Sequence, residues 1–311
     1  MRKFWILFVV LFLFLFAGCS GQSVKQNDGA LQVVASAYPA YDFAHQIIGG
    51  TQNLKMLTRP GVDPHEYEPT PQNIIDLENC DVFIYNGGES DIWVDEILKN
   101  VENKDLRIIR MMDCVNLLEE ETVEGMEVEN SGHEEAEYDE HVWTSPRNVM
   151  SITEAIRDVL VEVDPENASR YEENTDHFLS QLEDLDTRFR DIVANAERTT
   201  IIFADRFPAR YFTEEYGITY YAAFPGCSSQ TEPSAATVAF LIDKVKEEHI
   251  PCVFTVPFSQ SSLPQTISEA TGASILQFHS FHNVSEEEFG SLTYLDAMKS
   301  NAEALERALN D

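Results

Sequence analysis

Residues 165–197 constrain the fold more than any other stretch, because they contain no glycine and no proline beyond Pro165, which stands where proline favours a helix start. The apolar positions Tyr171, Phe178, Leu182, Leu185, Phe189 and Ile192 are spaced by seven, four, three, four and three, which keeps one face apolar over many turns. Thirty helical residues at about 1.5 Å each make a rod of roughly 45 Å. A coiled-coil dimer would use such a stripe; a spine lying along two lobes explains it better, because strand-like runs alternate with helical patterns on both sides of it. Before the rod, 31–36, 54–57, 81–85 and 107–111 read as strands, with helices over 40–48, 70–77 and 92–99. After it, strands are expected at 200–203, 218–222, 252–256 and 274–278, again with helical segments between. Alternation of this kind predicts an α/β protein with parallel sheets in two lobes, 31–164 and 198–311, joined by the linker helix 165–197. A cleft between the lobes is the expected ligand position, and a rigid linker limits hinge bending.

Composition excludes one class of partner. With 54 acidic and 21 basic residues the formal net charge is -33, so a nucleic acid would be repelled by the whole surface. The hydrophobic fraction, 43%, is that of a packed protein, so the acidity belongs to the surface and does not signal disorder. Cations are the natural partners of such a surface. The acids concentrate in 119–140, a segment without apolar period that is expected to be a solvated loop; its lone His133 makes it a candidate low-affinity cation collector.

Arg2 and Lys3 precede an apolar run over 4–16, too short to span a bilayer and suited to a signal peptide, 1–18. Ala17 and Gly18 then stand directly before Cys19, as in a lipobox, and 20–23 begin a flexible tether that extends to residue 30. Lipidation at Cys19 would anchor the chain to the outer side of the cell membrane without spanning it. Of the remaining cysteines, Cys80, Cys114 and Cys252 read as small buried hydrophobes, and Cys227 alone sits in a loop suited to a site.

Three histidines fall where the cleft should lie. His65 stands in Gly61-Val62-Asp63-Pro64-His65-Glu66-Tyr67-Glu68-Pro69-Thr70-Pro71, with prolines on either side fixing the turn. His141 stands in Asp139-Glu140-His141-Val142-Trp143-Thr144-Ser145-Pro146, and His279 follows the last strand. These motifs, with Thr231-Glu232-Pro233-Ser234 and the closing segment 294–301, resemble the metal-binding subunits of bacterial zinc and manganese ABC importers over nearly the whole chain from residue 31.

That resemblance implies two α/β lobes on a backbone helix, a metal between them, and function with a membrane permease and a cytoplasmic ATPase; the chain itself has no Walker-type phosphate loop. It places the first two ligands on His65 and His141 and the fourth, normally an aspartate, on His279. The third, a histidine or glutamate in the family, falls on Ala204, which cannot bind a metal. Asp205 beside it, Cys227 or water is then expected to complete the site, with Glu232 and His133 as further candidates. His45, His177, His249 and His282 are assigned to packing or solvent. Three imidazoles favour Zn²⁺ over Mn²⁺, which prefers more oxygen donors. The expected function is capture and delivery of Zn²⁺ by a monomeric, non-catalytic lipoprotein. A manganese-binding homologue, an adhesin-type lipoprotein and a zinc hydrolase with water on the open corner are the competing readings.

Overall fold

A computed structural model describes residues 30–127, 137–226 and 232–311. The expected signal peptide, the Cys19 anchor, His133 and Cys227 lie outside the described residues. Among the described residues, eight strands form two four-stranded, all-parallel sheets. The first has the order β2 (Leu54–Met56), β1 (Val33–Ala35), β3 (Val82–Tyr85), β4 (Arg107–Arg110); the second has β6 (Thr219–Phe224), β5 (Thr200–Arg206), β7 (Cys252–Thr255), β8 (Ser274–Gln277). In both sheets the third strand is inserted beside the first, so each half winds alike. The central strands β1, β3, β5 and β7 are short runs of valine, isoleucine and phenylalanine because helices cover both of their faces. All eight expected strands are present within a few residues of their expected ends.

In the first half, α1 (Tyr38–Ile48), α2 (Pro71–Asn79) and α3 (Trp93–Leu98) follow strands β1 to β3; α4 (Pro146–Val163) follows the acidic segment. Ser145 caps α4 by accepting from the Asn148 N–H, with Pro146 at its first position. The long helix is α5, Ala168–Ala194, about 40 Å of rod. It starts three residues later than the sequence suggests, because Asp164 leaves the helical conformation (φ -131, ψ 68), which is disfavoured before proline, and Pro165–Asn167 form a separate 3₁₀ turn. Asp164 accepts from Asn167 Nδ2 at 2.8 Å and from the Tyr171 hydroxyl at 2.6 Å, which fixes the corner. The buried face of α5 is the expected one, Tyr171, Phe178, Leu182, Leu185, Phe189 and Ile192, joined by Asp186, which accepts from the Tyr216 hydroxyl. This face packs against α1, α4 and α9 (Tyr294–Asn310), so one continuous core includes residues from both halves of the chain. Helices α6 (Arg210–Tyr216), α7 (Ala235–Glu247) and α8 (Leu263–Thr271) complete the second half.

The acidic segment is more ordered at its roots than its composition suggests. Glu119 and Tyr138 form an antiparallel bridge, flanked by Glu120 N–H to Glu137 O at 2.8 Å and Asp139 N–H to Leu118 O at 3.0 Å. Glu127 accepts from Ser234 N–H and the Thr237 hydroxyl at the start of α7, which holds its carboxyl below the usual range. Asp139 and Glu140, expected in a solvated loop, are 1% and 0% exposed. Both can be buried because other groups satisfy them: Asp139 Oδ1 accepts the His141 N–H, and Glu140 Oε2 accepts from Ser90.

Candidate metal centre

His65 sits in a 3₁₀ turn, Pro64–Glu66, that starts where Asp63 accepts the His65 N–H at 3.1 Å. A charged cap and an N-terminal proline therefore fix the backbone that presents this imidazole. His141 follows the stem. Asp139 Oδ1 accepts its N–H at 2.8 Å and lies 3.2 Å from its Nδ1. An ionised carboxylate only accepts, so the proton resides on Nδ1 and Nε2 keeps a lone pair, the arrangement that orients a metal-binding imidazole. His282 is carried by the loop after β8, where Phe281 has φ +56. That loop is pinned to the His65 loop: Asn283 Nδ2 donates to the carbonyls of Arg59 and Val62, and Gly61 N–H donates to Val284 O at 2.8 Å. Trp143 Nε1 donates to Ser280 O at 2.8 Å from the other side.

The rings of His65 and His141 lie 4.9 and 5.2 Å from that of His282, both nearly perpendicular to it. Glu140 is the fourth member. Its Oε2 accepts from Ser90 N–H at 2.9 Å and Ser90 Oγ at 3.0 Å. Its Oε1 makes no hydrogen bond and lies 3.4 Å from His65 Nε2 and 3.7 Å from His282 Nε2. One potential donor atom from each of His65, Glu140, His141 and His282 lies within 4.8 Å of the others. A tetrahedral zinc with bonds near 2.0–2.1 Å places its donors about 3.3 Å apart, so the shortest spacings already match the edge of such a tetrahedron.

The protonation preferences of His65 and His282 suit a cation, whereas at His141 and Glu140 a cation must displace the proton. Burial first, then the neighbouring His141 and Arg206, push His65 down to about 4. His282 is driven well below the usual imidazole range by burial, then by His65 and His141. Burial also opposes charge on His141, but the Asp139 carboxylate and its hydrogen bond outweigh it, so that pKa is raised. Burial pushes Glu140 up to about 7, against the pull of His141 and Ser90. Two neutral imidazoles and a carboxylate oxygen without a partner are costly to bury unless a divalent ion joins them.

The structure separates the expected ligands. His65 and His141 come together, and His279 does not join them. Its N–H donates to Asn301 Oδ1 at 2.6 Å and its carbonyl accepts from Asn301 Nδ2, so its backbone fastens the loop to α9 while its ring lies away from the cluster. Asp205 is likewise elsewhere. The strand β5 runs on through Arg206 with an irregular register after Phe203, so Asp205 turns toward β7 and accepts from Thr255 Oγ1 at 2.8 Å and Val256 N–H at 3.3 Å. Ala204 is fully buried in the outer core of the second sheet, and Glu232 is exposed outside the cluster. Sequence reasoning missed Glu140 and His282. The pair of histidines three residues apart in His279-Ser280-Phe281-His282 was the available signal for one, and the lost donor at Ala204 called for a compensating acid elsewhere.

Two parallel α/β halves on a spine helix, with a buried imidazole–carboxylate cluster at their junction that could hold a metal ion, define the fold of the two-lobed solute-binding class. The chain belongs to the family described as zinc-uptake complex component A, periplasmic, whose model matches residues 33–308. It is 30% identical over 316 residues to the high-affinity zinc uptake system protein ZnuA of Bacillus subtilis, covering 99% of this chain and 98% of that one. It is 29% identical over 311 residues to the zinc-binding lipoprotein AdcA of Streptococcus pneumoniae strain R6, covering 99% of this chain and 61% of AdcA, so it spans under two thirds of that relative. The manganese-binding lipoprotein MntA of Halalkalibacterium halodurans is 29% identical over 315 residues, covering the whole of both chains. Among solved structures, the Zn(II)-bound ZnuA-like domain of Streptococcus pneumoniae AdcA superimposes with a TM-score of 0.75 at 27% identity, covering 91% of this chain and all of that domain. The metal-dependent lipoprotein YcdH of Bacillus subtilis gives 0.76 at 28% identity, covering 90% of this chain and all of that one.

Proposed function

We propose that this chain captures Zn²⁺ outside the cell membrane, tethered through Cys19, and delivers it to the permease of an ABC importer driven by a cytoplasmic ATPase. His65, Glu140, His141 and His282 hold the ion. The observation that carries this reading is the buried, unpartnered Glu140 Oε1 between the Nε2 atoms of His65 and His282. Zn²⁺ has no ligand-field preference and is content with three imidazoles and one carboxylate oxygen, whereas Mn²⁺ favours more oxygen donors. With all four corners filled by side chains, no open position is left for a zinc-bound water, which is the position a hydrolase keeps. The zinc-binding names of AdcA and ZnuA support the cargo, and the manganese-binding name of MntA makes direct competition the necessary measurement.

Metal-stripped protein titrated with Zn²⁺ and Mn²⁺ against a chromophoric chelator tests the reading. One tight Zn²⁺ per chain is expected, lost in His65→Ala and His282→Ala but retained within about tenfold in His279→Ala. Tight binding that survives His282→Ala and vanishes in His279→Ala would return the fourth corner to the position the sequence suggested.

A further inference from the structure

The two oxygens of Glu140 have different surroundings. Oε2 is held by both donors of Ser90, the N–H at 2.9 Å and the hydroxyl at 3.0 Å, whereas Oε1 faces the imidazoles. Ser90 is itself buried. Its loop, 86–91, is built around this carboxylate. Asp91 Oδ2 accepts from Asn86 N–H, Gly87 N–H and Ser36 Oγ, which closes the loop on itself. Asn86 Nδ2 reaches across to the Glu140 carbonyl at 2.8 Å. At Gly88, with φ +78, a Cβ would stand 2.5 Å from both Cβ and Oε2 of Glu140, so only glycine lets the carboxylate lie against this backbone.

Accepting the donor set proposed above, we infer that Ser90 is a positioning residue that sets metal specificity by confining Glu140 to a single oxygen toward the ion. A carboxylate that turned to offer both oxygens would add a fifth donor and shift the site from three nitrogens and one oxygen toward the oxygen-richer shell that Mn²⁺ prefers. To turn, Oε2 must leave both Ser90 donors inside a buried site, where unpaired groups are costly. Zn²⁺ gains nothing from the fifth donor, so the Ser90 contacts penalise Mn²⁺ selectively.

The test measures Zn²⁺ and Mn²⁺ affinities and the visible spectrum of the Co²⁺-loaded protein for the wild type, Ser90→Ala and Ser90→Thr. Ser90→Ala removes the hydroxyl donor and leaves the N–H. Zn²⁺ affinity is expected to fall about 10–100-fold, the usual effect of losing a partner behind a ligand. Mn²⁺ affinity is expected to hold or rise, and the Co²⁺ d–d bands to weaken as coordination exceeds four. Ser90→Thr, which keeps the hydroxyl, is expected to restore both the Zn²⁺/Mn²⁺ ratio and the spectrum. Parallel loss of both affinities with an unchanged Co²⁺ spectrum, or no change in either metal, would overturn the specificity role while leaving the metal site standing. A wild type without a tight Zn²⁺ site would overturn the donor set and this inference together.

Discussion

Replacing Glu140 by glutamine is expected to move stability and metal affinity in opposite directions. In the protein stripped of metal by a chelator, burial raises the Glu140 pKa from 4.5 to about 7. A carboxyl whose folded pKa lies above its unfolded value contributes fully below the unfolded value and loses that contribution as the pH climbs through the folded one. At 1.36 kcal/mol per unit, the ionised carboxylate costs about 3 kcal/mol near pH 8 relative to acid. Glutamine carries no such cost. Its amide oxygen can take the place of Oε2 and accept from Ser90, which sets its NH₂ where Oε1 lies, within reach of the lone pairs of His65 and His282. Chelated Glu140→Gln is therefore expected to melt several degrees above chelated wild type near pH 8, with the difference shrinking toward about pH 5. Zinc should show the reverse. The variant loses its anionic donor and presents an NH₂ group that cannot ligate, so its affinity is expected to fall more than about 100-fold, beyond the range for a partner behind a ligand. Differential scanning fluorimetry with and without chelator, paired with competition titration, gives both numbers on one sample. A chelated variant no more stable than wild type near pH 8, or a zinc Kd within about tenfold of wild type, would refute the assignment of Oε1 to the ion.

Asp205→Ala removes the acceptor for Thr255 Oγ1 and Val256 N–H between β5 and β7, so a loss of about 1–3 kcal/mol is expected in denaturant unfolding, with zinc affinity unchanged within about tenfold. A larger affinity loss at equal stability would restore Asp205 as a ligand. Replacing residues 128–136 by glycine and serine of equal length leaves the bridge at Glu119 and Tyr138 and the Glu127 contacts in place, so isothermal titration should retain the tight site and lose only weak additional equivalents. Cys19→Ala is expected to leave the precursor unprocessed or released from the membrane fraction, with the soluble portion binding zinc as before; normal membrane attachment in that variant would remove the anchor.

The architecture was legible because it rests on local patterns. Apolar strand runs, the glycine-free stripe of α5 and the proline-bounded turn at His65 are each set by neighbours in sequence, and the structure follows them closely. The site was half legible. His65 and His141 sit in motifs whose caps, Asp63 and Asp139, lie two residues away, so the sequence carries their geometry. Choosing between His279 and His282 depended on contacts over 200 residues away in sequence, from Asn283 to Arg59 and Val62, that no periodicity encodes. Glu140 was hidden by its company, since in an acidic run a buried glutamate looks like its solvated neighbours. Only the remote Ser90 distinguishes it. Asp205 failed for a local reason with a nonlocal cause: β5 continues two residues further than its apolar run because β7 supplies donors to the carboxylate.

The alanine at position 204 and the donor proposed at Glu140 are consistent with one shift of the site toward the first half. His65, Glu140 and His141 all come from the first half of the chain, and the loop that carries His282 is fastened to that half through Asn283, Val284 and Ser280. Among the described residues, the strand ends of the second sheet supply no donor to the cluster; Ala204 packs into their apolar core and Asp205 locks β5 to β7. They contribute cover instead. Gly226 lies so close to His141 that a Cβ there would stand 3.0 Å from the ring's Cε1 and 2.8 Å from the carbonyl of Phe207, so the turn after β6 seals the imidazole at van der Waals distance. With the donor set proposed above, a site whose donors ride on one half and whose cover comes from the other would open by withdrawal of the cover, with all four side chains keeping their geometry. Under that proposal, release would also need the His282 loop or the Ser90 hold on Glu140 to give way, because separating the halves alone would expose the ion to water without removing a protein ligand.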